Sequence, residues 1–70
     1  MTPKRDQVWQ NIKKGTFYYV LYIATEATNS REGTQSVVYI SHDGQDKNVY
    51  VRELEEFMHK FEYWGKKEKI

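Results

Sequence analysis

The sequence predicts a mainly β domain: a small SH3-like antiparallel barrel of about five strands, with one short helical turn before the last strand. Three observations lead there. The run from Val37 to Phe57 holds two alternating apolar segments around an Asp43-Gly44 turn, the pattern of a hairpin. The run from Thr16 to Ala27, TFYYVLYIATEA, is dense in the aromatic and β-branched side chains that pack well on a pleated surface. The apolar period then changes, and Leu54, Phe57, Met58 and Phe61 follow the i, i+3, i+4, i+7 spacing of one helical face. An open antiparallel sheet with one helix across it satisfies the same pattern.

Taken in order, residues 1–7 form a flexible, extended lead-in containing Pro3. Val8, Trp9 and Ile12 anchor a first short strand, which Lys13-Lys14-Gly15 stops, Gly15 suiting a turn of positive φ. In the second strand, strict alternation puts Phe17, Tyr19, Leu21 and Ile23 on one face and Tyr18, Val20, Tyr22 and Ala24 on the other. Thr28 to Thr34, TNSREGT, reads as the polar connection of a long hairpin. Gln35 to Ser41 is the third strand, with Val37 and Tyr39 on one face and Val38 and Ile40 on the other. Asn48 to Arg52 is the fourth, Glu53 to Lys60 the helical turn, and Glu62 to Trp64 the last strand. One domain over 8–64 and a charged tail over 65–70 complete the organisation.

Seventy residues bury only roughly 60% of the surface the unfolded chain exposes. The core is therefore small, and the 16% share of aromatic residues implies that rings replace a larger aliphatic interior. With no cysteine, neither a disulfide framework nor a thiolate zinc site is available. No apolar run approaches the roughly 18 residues of a membrane span, so a cytoplasmic protein without a membrane partner is expected. Eleven basic and 10 acidic side chains are too balanced for a general nucleic-acid binder. The ends are richer in lysine, and Lys13, Lys14, Lys66 and Lys67 are candidate nucleic-acid contacts if the termini meet in space.

Several segments together resemble a family of short bacterial and phage domains of unknown function. They are Lys14-Gly15-x-Phe17-x-Tyr19-x-Leu21, Val37-Val38-Tyr39, Val49-Tyr50-Val51-Arg52-x-Leu54-x-x-Phe57 and Phe61-Glu62. Members of that family read Lys-Gly-x-x-Tyr-x-Val, Val-Val-Tyr, Trp-Val-Arg-Pro-Leu-x-x-Phe and Arg-Phe-Glu, and the likeness spans about residues 9 to 63. This chain departs from the pattern with Glu53 for Pro, Tyr50 for Trp and Lys60 for Arg. The resemblance implies a compact β-barrel-like domain of bacterial or phage origin, and no catalytic role.

Among polar residues, Arg52 stands out because strand alternation puts it on the same face as Tyr50. A guanidinium beside aromatic rings offers a planar fork of donors to phosphate or carboxylate. The competing reading is an internal ion pair, to Glu62 or Glu55. Tyr18, Tyr22, Tyr39 and Tyr50 form either an aromatic floor for a ligand or simply the core. His42 beside Asp43 lacks a nucleophile at any recognisable spacing and reads as a solvent-exposed turn. Asp43 and Asp46 lack the remaining ligands of a calcium loop, so no metal site is expected.

These features point to a small non-enzymatic binding module without a cofactor, with Tyr39, Tyr50, Arg52 and Glu62 as ligand-binding residues. The expected partner is a host protein or an anionic small ligand such as a nucleotide, in keeping with a phage or bacterial accessory protein. A single-stranded nucleic-acid binder and a structural homo-oligomer are the alternatives.

Overall fold

The computed structural model describes residues 2–42, 44 and 46–66. Five antiparallel strands form one sheet: β1 (Gln7–Asn11), β2 (Phe17–Thr25), β3 (Gln35–Ser41), β4 (Val49–Glu53) and β5 (Phe61–Lys66). A 3-10 turn, Asn29–Arg31, lies between β2 and β3, and one helix, α1 (Leu54–Lys60), leads directly from β4 into β5. The spatial order is β4-β3-β2-β1-β5. Because β4 and β5 are edges rather than neighbours, the sheet is open and the expected barrel is only approximate. Among the described residues no helix is long and apolar enough to cross a membrane. The turn residue Asp43, the candidate contact Lys67 and the rest of the tail beyond Lys66 lie outside the described residues.

The core occupies one face of the sheet. Trp9, Val20, Val37, Tyr39, Phe57 and Phe61 are buried there, with Tyr18, Ile23, Tyr50 and Leu54 packed against them. Phe57 is 0% exposed and stacks on Phe61 at 4.2 Å between ring centroids, while its edge contacts run to Tyr39 and Trp9. The helix thus contributes one fully buried ring. Met58 is exposed, and Phe61 belongs to β5 rather than to the helical face on which the spacing placed it. The chain leaves helical geometry at Phe61, which is extended at φ −127° and ψ 155°.

Register explains a second difference. Val20 pairs with Tyr39, yet Tyr22 pairs with Val38 and Ile23 with Val37, so Leu21 is the extra residue of a β-bulge. One inserted residue exchanges the faces of everything after it. Ile23 therefore joins Tyr18 and Val20 on the core face, and Tyr22 joins Tyr19 on the outer one, 55% exposed, with the Arg5 guanidinium over its ring. The outer face also carries Val49, Val51 and Trp64, all more than half exposed.

The residues before β1 are bonded into the sheet. Asp6 takes a left-handed φ of 70°, its N–H donates to the Val20 carbonyl, and its carboxylate accepts from the Tyr19 hydroxyl. Gln7, 7% exposed, accepts from the Trp9 indole N–H at 3.0 Å and from the Lys4 N–H at 2.9 Å. The buried indole donor is thereby satisfied. The polar Thr28 to Thr34 connection is also braced, by Arg31 on Glu53 at 3.0 Å and by backbone bonds from the Glu26 N–H to the Thr34 carbonyl and from the Gly33 N–H to the Glu26 carbonyl.

Candidate functional site

The site lies at the end of the core face where the β1–β2 turn meets the end of α1. Asn11 begins that turn: its Oδ1 accepts from the Lys14 N–H at 2.9 Å, and its carbonyl accepts from the Gly15 N–H at 2.7 Å. Closure this tight needs the left-handed φ of 77° at Gly15, a conformation that costs other residues roughly 1–2 kcal/mol. The turn is tied to the helix by the Ile12 N–H, which donates to the Lys60 carbonyl at 2.9 Å. Residues nearly fifty positions apart in sequence are so brought to one place. The cleft they enclose measures about 340 Å³ and is lined by Asn11, Ile12, Lys13, Lys14, Arg52, His59 and Lys60.

A smaller space of about 80 Å³ adjoins it, sharing Asn11, Lys14 and Arg52 and floored by Tyr18, Tyr39, Tyr50 and Phe61. The phenols interlock. Tyr39 stacks on Tyr50 at 5.5 Å and 29°, and Tyr18 stands edge-on to both, 5.5 Å from Tyr39 and 6.2 Å from Tyr50. Tyr39 is 3% exposed, so these rings are core and cavity floor at once. Tyr22, the fourth member of the expected floor, lies on the outer face because of the bulge.

Arg52 organises the polar groups. Its Nε donates to the Tyr39 hydroxyl at 3.1 Å, its Nη1 to Glu56 Oε2 at 2.7 Å, and its guanidinium lies 5.7 Å from the centre of the Phe61 ring. The hydrogen bond to Tyr39 is the first cause holding the guanidinium above its ordinary value; burial opposes it and Glu56 adds to it. The ion pair is to Glu56 rather than to Glu62 or Glu55, since one helical turn after β4 returns Glu56 over Arg52. With the two side chains 30% and 52% exposed, that pair contributes about 0–1 kcal/mol, and an arriving anion can displace it.

Tyr50 closes the outer rim. Asn48 donates to its hydroxyl and would lower its pKa, but the hydroxyl itself donates to Asp46 at 2.7 Å, and with burial the net direction is upward.

The structure brings Tyr39, Tyr50, Arg52, Lys13 and Lys14 together. Glu62 is elsewhere: it pairs with Gln10 on the outer face, one residue out of step with Phe61 and Tyr63. Lys66 pairs with Gln7 at the end of the β1–β5 ladder opposite Asn11, so it lies away from Lys13 and Lys14. In place of Lys66, the structure supplies His59 and Lys60 from α1, and Asn11 and Ile12 from the turn. The signal for Asn11 was a polar residue ending an apolar strand just before Lys-Lys-Gly. Nothing local marked His59 and Lys60, which fall outside the apolar spacing of the helical segment.

Among the described residues, Lys13, Lys14, Arg52, His59 and Lys60 line the larger cleft with no carboxylate among them. Among the described residues no group of three or more His, Cys, Asp or Glu side chains is placed to hold a metal ion.

Comparison with known proteins gives one finding. The family model described as "Protein of unknown function (DUF1653)" matches residues 13–69, which includes every residue lining the two cavities except Asn11 and Ile12. No curated protein and no solved structure matches the chain.

Proposed function

We propose that this chain, which belongs to the DUF1653 family, is a non-enzymatic binding module that takes a small anionic ligand, such as a nucleotide, at the end of its core face. The observation that carries this reading is the setting of Arg52. Its guanidinium is fixed on a buried phenol and lines both cavities together with Lys14, while Lys13, His59 and Lys60 complete the larger one. A guanidinium so fixed loses little further freedom when it grips an oxyanion. The non-enzymatic part rests on the chemistry of the lining, which consists of phenols, amines, a guanidinium, an amide and one imidazole, without a nucleophile beside a base.

A gentle native mass spectrum of the purified protein, followed by calorimetric titration with nucleotides and other anions, tests the reading. The expected result is a bound anion that is lost in Arg52→Ala while the circular dichroism spectrum is kept. Affinity should fall only shallowly with salt. A steep slope, set by release of many counterions, would point instead to single-stranded nucleic acid along Lys13, Lys14 and Lys60. Empty screens with small anions and oligonucleotides would overturn both.

A further inference from the structure

We infer that the anion is a phosphate monoester, with its dianionic group in the small tyrosine-floored space and its organic part in the larger cleft. This rests on the anion-site reading above. The small space offers donors. Asn11 is 9% exposed, and its Oδ1 is taken by the Lys14 N–H, so the polar atom it has left is the Nδ2 amide donor. The Tyr39 hydroxyl accepts from Arg52, a group that can only donate, and its own proton remains for a ligand. Arg52 Nη2 makes no bond to any described residue, and the Lys14 ammonium adds charge. Neither Glu56 nor Asp46 lines the space. At about 80 Å³ it suits one tetrahedral oxyanion and not a ring. The adjoining cleft of about 340 Å³, with Ile12 in its wall, is at the lower end of ligand-pocket sizes and suits a compact organic group.

The cationic lining sets the charge requirement. A monoanion at the same place gains about half the Coulombic attraction to Arg52 and Lys14 that a dianion gains. A phosphate monoester carries about −1.5 to −2 at neutral pH and presents three strong acceptor oxygens, enough for Asn11, Tyr39, Lys14 and the free Arg52 Nη2.

Calorimetry on the full chain at pH 7.5 and fixed ionic strength, with methyl phosphate, dimethyl phosphate, acetate and a nucleoside monophosphate, provides the test. Methyl phosphate should bind about tenfold or more tightly than the equally tetrahedral but monoanionic dimethyl phosphate. The nucleoside monophosphate should bind more tightly still. In Glu56→Gln both ligands should bind more tightly and the ratio between monoester and diester should widen, because loss of a nearby negative charge relieves the dianion more. If dimethyl phosphate matches methyl phosphate in the native chain, the monoester inference fails while the anion site stands. If the nucleoside monophosphate is no better than methyl phosphate, the cleft does not hold the organic part. If none of the four binds, the anion site itself is overturned.

Discussion

Arg52 crosses the β3–β4 ladder diagonally to donate from Nε to the Tyr39 hydroxyl at 3.1 Å, and that phenol is otherwise enclosed by Tyr18, Tyr50, Phe57 and Phe61. A buried ring therefore fixes a half-exposed charge. Tyr39→Phe keeps the packing and removes the acceptor, so stability should drop by about 1 kcal/mol. Affinity for anions should fall several-fold as Arg52 loses its fixed position. Urea unfolding and calorimetry on the same variant check the two effects.

Arg52→Lys retains the charge but not the fork of donors, since an ammonium cannot hold Tyr39 and Glu56 and still present a flat edge. Anion affinity should fall by roughly tenfold, with stability changed by less than about 1 kcal/mol because the pair with Glu56 is exposed. A variant that binds as well as the native chain would remove Arg52's geometry from the account.

Phe57 is the ring that seats α1 on the sheet. Phe57→Ala should cost about 3–5 kcal/mol, enough to leave so small a domain largely unfolded. The near-ultraviolet circular dichroism signal, which reports fixed aromatic packing, should collapse. Phe57→Leu keeps most of the volume and should fold with a lowered melting temperature.

The outer-face pair Tyr19 and Asp6 gives a pH prediction. The carboxylate that accepts from the Tyr19 hydroxyl raises the phenol's pKa above 10.0. The same direction holds at Tyr50, where Asp46 outweighs Asn48. Above that value the unfolded chain loses these protons first and the folded chain retains them, so stability is full below about pH 10 and falls as pH rises through the folded values. Tyr19→Phe should flatten that decline in urea unfolding measured between about pH 9 and 11. An unchanged slope would show that the bond to Asp6 contributes nothing in solution.

Much of the fold was legible because local chemistry and global pairing agree. The β3 strand has the bounds that alternation predicts, and Gly15 adopts the positive φ that its place after Lys13-Lys14 called for. The bulge at Leu21 was not legible. No Gly or Pro marks it, and an aromatic and aliphatic run is equally apolar whichever face each residue takes. Tyr22 and Ile23 were exchanged for that reason alone. Phe61 matched a helical period because i+4 from Phe57 also suits a residue just past the helix end, where the two rings still stack. The site was legible as Tyr39, Tyr50 and Arg52, which share one hairpin. Its other wall depends on a backbone bond from Ile12 to Lys60, a long-range closure that no local pattern encodes. Glu62, expected beside Arg52, alternates with Phe61 and Tyr63 in β5 and so lies on the other face.

The most direct measurement is a two-dimensional nitrogen–proton NMR titration of the native chain with methyl phosphate, following backbone amides, the Asn11 side-chain amide and the Arg52 Nε–H. Shifts should concentrate at Asn11, Lys14, Arg52 and Lys60, with Glu62, Lys66 and the Thr28 to Thr34 connection unmoved. Shifts centred on Lys66 or on the outer face, or none at phosphate concentrations in the millimolar range, would contradict the anion site.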